Sequence, residues 1–111
     1  MTPSQYTLAA LIAAVLGTGA LAPRARAQGA EDLYQHKCAI CHGNDGAGHT
    51  MKGRKLKVKD LSSAAVQKLT DAQIAQVIAK GKKPNMDGFA GDFTPAQIAD
   101  LVKYVRTFAK P

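Results

Sequence analysis

The sequence predicts an all-α fold, and three observations predict it. Thr94-Pro95-Ala96-Gln97 and Thr70-Asp71-Ala72-Gln73 are capping boxes, each followed by apolar residues at helical spacing. No stretch alternates apolar and polar residues over a useful strand length. Glycines and lysines gather in two segments, 43–59 and 81–93, that read as long loops between helices.

Taken in order, residues 1–27 read as an export signal. Residues 8–22 are 15 uncharged Leu, Ala, Ile, Val, Gly and Thr. That is short of the roughly 20 apolar residues a membrane span needs, and it fits the apolar part of a secretory leader. Ala25-Arg26-Ala27 supplies a small-x-small cleavage site, so cutting after Ala27 leaves a mature domain of residues 28–111. The leader departs from the usual pattern in having no Lys or Arg before Leu8. The competing expectation is an uncleaved anchor. A first helix is expected over 31–37, acidic at its start and ending on Lys37. Ser62 or Ser63 caps a short turn reaching Leu69. The Thr70 box opens a helix through Ile74, Val77 and Ile78 that Gly81 stops, with Pro84 just beyond. The Thr94 box, with Pro95 at the first helical position, opens the last helix, whose stripe is Ile98, Leu101, Val102, Val105 and Phe108.

A chain of 111 residues holds one small domain. With 46% hydrophobic and 21% charged residues it is neither disordered nor collagen-like. Two cysteines are too few for a disulfide framework. There is no Trp, and only three Phe and three Tyr. A domain of this size buries little surface and often needs a staple, so a non-protein group is expected at its centre.

Cys38-Ala39-Ile40-Cys41-His42 supplies that group. A C-x-x-C-H run is a c-type haem attachment signal. Two thiols three residues apart lie on one side of a helical turn, where they can add to two vinyl groups along one porphyrin edge. His42 follows at once, where a neutral imidazole can reach the iron. Three other chemistries compete. A thioredoxin-like redox pair wants a preceding strand, and none is visible. A zinc site could join Cys38 and Cys41 to His36 and His49, though seven residues between Cys41 and His49 is an unusual spacing. A disulfide between Cys38 and Cys41 would close a tiny loop and stabilise little.

The run Tyr34 to Gly43, a late Met-bearing loop and the run Gln97 to Arg106 together resemble the short bacterial class I cytochromes c, monohaem c-type proteins, and the likeness extends from about Gly29 to Ala109. The resemblance implies the cytochrome c fold, with helices and long loops wrapped around one covalent haem. It implies an N-terminal helix crossing the C-terminal one through Ala30 and Tyr34 on one side and Leu101 and Tyr104 on the other. The family often has Gly where Ala30 stands, which implies a slightly wider crossing. It also implies Cys38 and Cys41 as thioether donors, His42 as proximal iron ligand and Met86 as the distal one. A thioether favours ferrous iron. The family commonly continues Met-Pro; here the run is Met86-Asp87-Gly88-Phe89, which implies a looser loop. Met51, nine residues after His42, is the competing methionine. His36 and His49 are expected at the surface. No Pro lies between Gly43 and Lys83, so a backbone carbonyl within 43–59 is expected to accept from His42.

Charge sums to +7, and to +5 once Arg24 and Arg26 leave with the leader. Lys52, Arg54, Lys55, Lys57 and Lys59 cluster in one loop, and Lys80, Lys82 and Lys83 precede Met86. A positive rim around a haem crevice would steer acidic redox partners. Nucleic acid and a small-molecule substrate are poor fits, and the membrane is reached only through partners unless the leader is retained. The function expected is a periplasmic one-electron carrier, an electron-transfer protein rather than an enzyme. The alternative is a ligand-binding sensor or enzyme in which Met86 leaves the iron.

Overall fold

The computed structural model describes residues 23–111; the apolar run 8–22, on which the export reading rests, lies outside them. Six helices follow one another: α1 (Pro23–Lys37), α2 (Ala39–His42), α3 (Met51–Leu56), α4 (Ala64–Gln67), α5 (Asp71–Lys80) and α6 (Pro95–Arg106). Among the described residues there is no strand, only a two-residue bridge between Lys82 and Met86.

Both capping boxes form. Thr70 and Thr94 each accept from the backbone N–H three residues on, and Gln73 and Gln97 reach back to the capping N–H groups. Each satisfies two donors that the first helical turn leaves unpaired. Gly81 ends α5 as its position predicts. Ser63, not Ser62, occupies the cap of α4. The Ser62 hydroxyl instead bonds the Asp60 carboxylate.

The core is the crossing of α1 with α6. Ala30 (2% exposed), Tyr34 (1%) and Leu101 (1%) are its most buried side chains. The Tyr34 ring lies 5.0 Å from Tyr104 and 5.2 Å from Phe108, tilted against both. Full burial of a side chain such as that of Leu101 contributes about 1.5–3 kcal/mol. Ile98, Val102 and Val105 extend the seam along α6, and Ile74 and Ile78 bring α5 onto it.

α1 begins earlier than the sequence suggests and runs continuously across Ala27 and Gln28. Its Arg26 pairs with Asp100 at 3.2 Å, with the Arg side chain 57% exposed. Such a pair is worth about 0–1 kcal/mol, so cutting after Ala27 would cost the fold little. Among the described residues no helix is long and apolar enough to cross a membrane.

Two features were not legible in the sequence. Segment 43–59 contains α3, where a loop was expected. Thr50 caps it, accepting from Gly53 N–H at 2.8 Å. Gly53 serves close approach rather than flexibility: a Cβ there would collide with the Cys41 carbonyl and with Thr50. The second feature is a clamp on the other side of the core. Arg106 donates to the Asp71 carboxylate at 2.8 and 3.0 Å, and to the carbonyls of Gln67 and Leu69 at 2.8 and 2.6 Å. The Gln67 amide in turn bonds the carbonyls of Leu61 and Val105. Segment 61–71 is thereby pinned to the end of α6.

Candidate functional site

A one-turn helix cannot hold itself, and α2 is held by its neighbours. The Cys38 carbonyl accepts from His42 N–H at 2.9 Å, and the Ala39 carbonyl from Gly43 N–H at 2.8 Å. The Thr50 hydroxyl donates to the Cys41 carbonyl at 2.8 Å, and Gly48 N–H to the His42 carbonyl at 2.7 Å. Tyr34 Oη donates to the Gly43 carbonyl at 2.7 Å, joining the α1–α6 core to the end of the C-x-x-C-H turn. The first two are the turn's own helical bonds; those from Thr50, Gly48 and Tyr34 satisfy carbonyls that the short helix would otherwise leave unpaired.

This turn stands at one side of a cavity of about 320 Å³. Its walls are largely aliphatic: Leu56 at the end of α3 and Val58 just after it, Ile74, Val77 and Ile78 from α5, Leu101 and Val105 from α6. Cys38 and His42 line it, and so does Met86. Cys41 is half-buried in the same turn but is not part of the lining. Met51 is 89% exposed and lies outside the cavity.

Met86 is positioned by its backbone. Its N–H donates to the Lys82 carbonyl at 2.8 Å, and its carbonyl accepts from Lys82 N–H at 2.9 Å. Phe89 and Ala90 then donate to the last carbonyls of α5, those of Ile78 and Ala79. Phe89 stacks on Phe93 at 5.2 Å. Without a Pro after Met86, these bonds are what ties the chain to α5 and to Lys82 on either side of it. Gly88 makes this possible, since a Cβ there would strike the backbone of Ala79 and Lys80. Gly88→Ala should push the loop off α5. A weakened or absent sulfur-to-iron band, with haem content unchanged, is the expected result in the absorption spectrum.

The thiols at Cys38 and Cys41 are unbridged. Burial, and then the neighbouring Cys41 sulfur, push the Cys38 thiol up to about 11. A redox-active Cys-x-x-Cys pair has a depressed pKa, so this environment opposes thioredoxin-like chemistry. Among the described residues no three His, Cys, Asp or Glu side chains gather as a metal-binding group. His36 and His49 are exposed, and His36 Nδ1 faces the Asp32 carbonyl at 2.7 Å. Burial lowers the pKa of His42, which keeps the imidazole neutral as an iron ligand requires. Its Nδ1 is buried without a hydrogen bond of full geometry. Against the effect of burial, the backbone of Lys59, the last residue of 43–59, raises the pKa of the ring. An aliphatic cavity lined by a thiol, a neutral imidazole and a thioether, with the second thiol in the same turn, offers a donor set that suits an iron porphyrin.

Comparison with known proteins agrees. A family model described as cytochrome c oxidase, cbb3-type, subunit III, matches residues 25–105. The chain is a small monohaem c-type cytochrome. A solved structure named KustC0563 c-type cytochrome superposes with a TM-score of 0.68 at 34% identity, covering 73% of this chain and 98% of its own. A tyrosine-to-phenylalanine mutant of that protein gives 0.66 at 32% identity, over 71% and 96%. No curated protein matches. The cytochrome therefore carries haem c, covalently bound and containing iron, in an all-α cytochrome c fold, and belongs among haem-based electron-transport proteins.

Proposed function

We propose that this cytochrome is an exported one-electron carrier with His42 and Met86 as the axial ligands and Cys38 and Cys41 as the thioether donors. The observation that carries the ligand set is the meeting of Cys38, His42 and Met86 in one cavity that leaves Met51 outside. Bound there, haem supplies an iron that changes between ferric and ferrous with no substrate turned over. The chain's own contribution is to hold the imidazole neutral, to offer the soft sulfur, and to exclude water with an aliphatic wall. Burial and the thioether both favour the ferrous state. Export is supported by the leader-like residues 1–27, and cleavage after Ala27 leaves Gln28 first. That export places the carrier in the periplasm.

Absorption spectra of the oxidised and reduced protein, with an intact mass, test the reading. The expected result is a low-spin six-coordinate haem, a sulfur-to-iron band when oxidised, and a chain from Gln28 carrying one haem. A five-coordinate spectrum that responds at once to carbon monoxide would overturn the carrier in favour of a ligand-binding sensor or enzyme.

Partners are proposed to dock through acidic surfaces. Lys57, Lys59, Lys82 and Lys83 line the cavity and are exposed. Lys52, Arg54, Lys55 and Lys80, grouped with them in the sequence, do not line it. Reduction by an acidic partner should slow as salt rises, since screening cuts the field to about 10 Å at 0.1 M. Replacing Lys59, Lys82 and Lys83 together by Gln should slow association about tenfold at low salt and flatten the salt dependence. A rate indifferent to salt in the unmodified protein would remove the docking role.

A further inference from the structure

Lys57 is the only residue other than glycine, among those described, with a positive φ: it ends α3 at φ 55°, ψ 45°. This left-handed conformation is the usual place for Gly or Asn at a helix C-terminus, and a long side chain there is uncommon. Strain of this kind tends to sit where a side chain has work to do. The residues on either side, Leu56 and Val58, both line the cavity, and so does Lys57. The left-handed turn is what brings three consecutive residues to one wall.

The charge around that wall is unbalanced. Lys57 and Lys59 line it from one segment, and Lys82 and Lys83 from the Met86 loop. The remaining titratable groups of the lining are Tyr34, Cys38 and His42, and no Asp or Glu is among them. Lys83 is already paired with Asp87 at 3.4 Å, whereas Lys57, Lys59 and Lys82 make no ion pair among the described residues. Haem carries two carboxylates, those of its propionate side chains, and this wall offers them cations.

We infer that Lys57 is the cation that binds a haem propionate, and that its left-handed backbone is kept to aim the ammonium at that carboxylate. The inference rests on haem filling the cavity as proposed above. A neighbouring ammonium favours the ionised carboxylate and holds its pKa down. Removing it also leaves more negative charge near the iron, which favours the ferric state.

The test uses the haem-loaded protein and measures midpoint potential from about pH 4 to about pH 9, the range over which carboxylates of ordinary and raised pKa ionise. In the unmodified protein the potential should fall across a window at the acid end, as the propionate ionises. Lys57→Gly suits the left-handed backbone better and should fold at least as stably. The variant should move that window up by about one pH unit and have a lower potential at neutral pH. Lys57→Asn should do the same, and Lys57→Arg should keep the original profile. If Lys57→Gly raises the melting temperature and leaves the profile unchanged, Lys57 is a solvated helix-end residue and the inference falls. It falls equally if Lys59→Asn or Lys82→Asn moves the window and Lys57→Gly does not. A protein without a thioether-linked haem spectrum would instead overturn the haem reading itself, a failure visible before any potential is measured.

Discussion

Met86→Ala should abolish the sulfur-to-iron charge-transfer band and lower the midpoint potential by on the order of 0.1 V or more, within the roughly 0.8 V that axial ligands command. The direction follows from softness. A thioether donates better to ferrous than to ferric iron, so its loss penalises the reduced state. The same change should let carbon monoxide reach the ferrous iron and cyanide the ferric iron quickly, where the unmodified protein binds both slowly. Slow binding is expected because the backbone of residue 86 is already fixed by its two bonds to Lys82. Only the flexible side chain has to be ordered for the sulfur to stay in place. Met51→Ala is the control: that side chain is 89% exposed, and neither band nor potential should change. If Met51→Ala removes the band and Met86→Ala does not, the distal ligand comes from the start of α3 and the assignment made here is wrong.

The parts of this architecture that the sequence displays are those governed by neighbours in the chain. A capping box spans four residues, and a helical stripe spans two or three turns. The helices opened by Thr70 and Thr94 could therefore be placed from sequence. The attachment turn is five consecutive residues and was equally visible. The pairing of Ala30 and Tyr34 with Leu101 and Tyr104 came from family resemblance, and the structure buries Ala30, Tyr34 and Leu101 together, with the rings of Tyr34 and Tyr104 in contact.

What the sequence hid depends on distance along the chain or on one residue serving an unusual purpose. α3 has almost no apolar periodicity, because its outward residues are lysines and Arg54, and Gly53 looks like a helix breaker. The packing of Gly53 against the Cys41 carbonyl, twelve residues earlier, explains the glycine, and no local rule reveals it. The Arg106 clamp joins groups 35 to 39 residues apart and leaves no local signature. The lysines form one basic run in the sequence, yet the fold divides them. The left-handed turn at Lys57 brings Lys57 and Lys59 to the cavity while the helical Lys52 and Lys55 stay off it.

Cys38→Ala combined with Cys41→Ala should give a chain from which acid–acetone extracts all haem, and whose intact mass shows none attached. The effect on the fold should be as large as that on the cofactor. The site is a largely apolar space of about 320 Å³ open to solvent where its lysines stand, so without haem its aliphatic walls face water, at a cost of about 25 cal/mol for each Å² of apolar surface left exposed. A whole small domain is stable by only about 5–15 kcal/mol, so a chain with its centre empty has little or no margin left. The walls are drawn from α3, α5 and α6, so a collapse large enough to fill the space would also dismantle the α1–α6 crossing on which Tyr34 and Leu101 depend. The double variant should accordingly lose helical circular dichroism, or unfold without a cooperative transition, where the unmodified protein melts in one step. Haem supplied in solution should restore part of the signal through His42 and Met86, and washing should remove it again. A double variant as helical and as cooperative as the parent without haem would mean that the cavity is not the seat of the cofactor. Unmodified protein that carries zinc or a disulfide at Cys38 and Cys41 in place of thioethers would refute the attachment altogether.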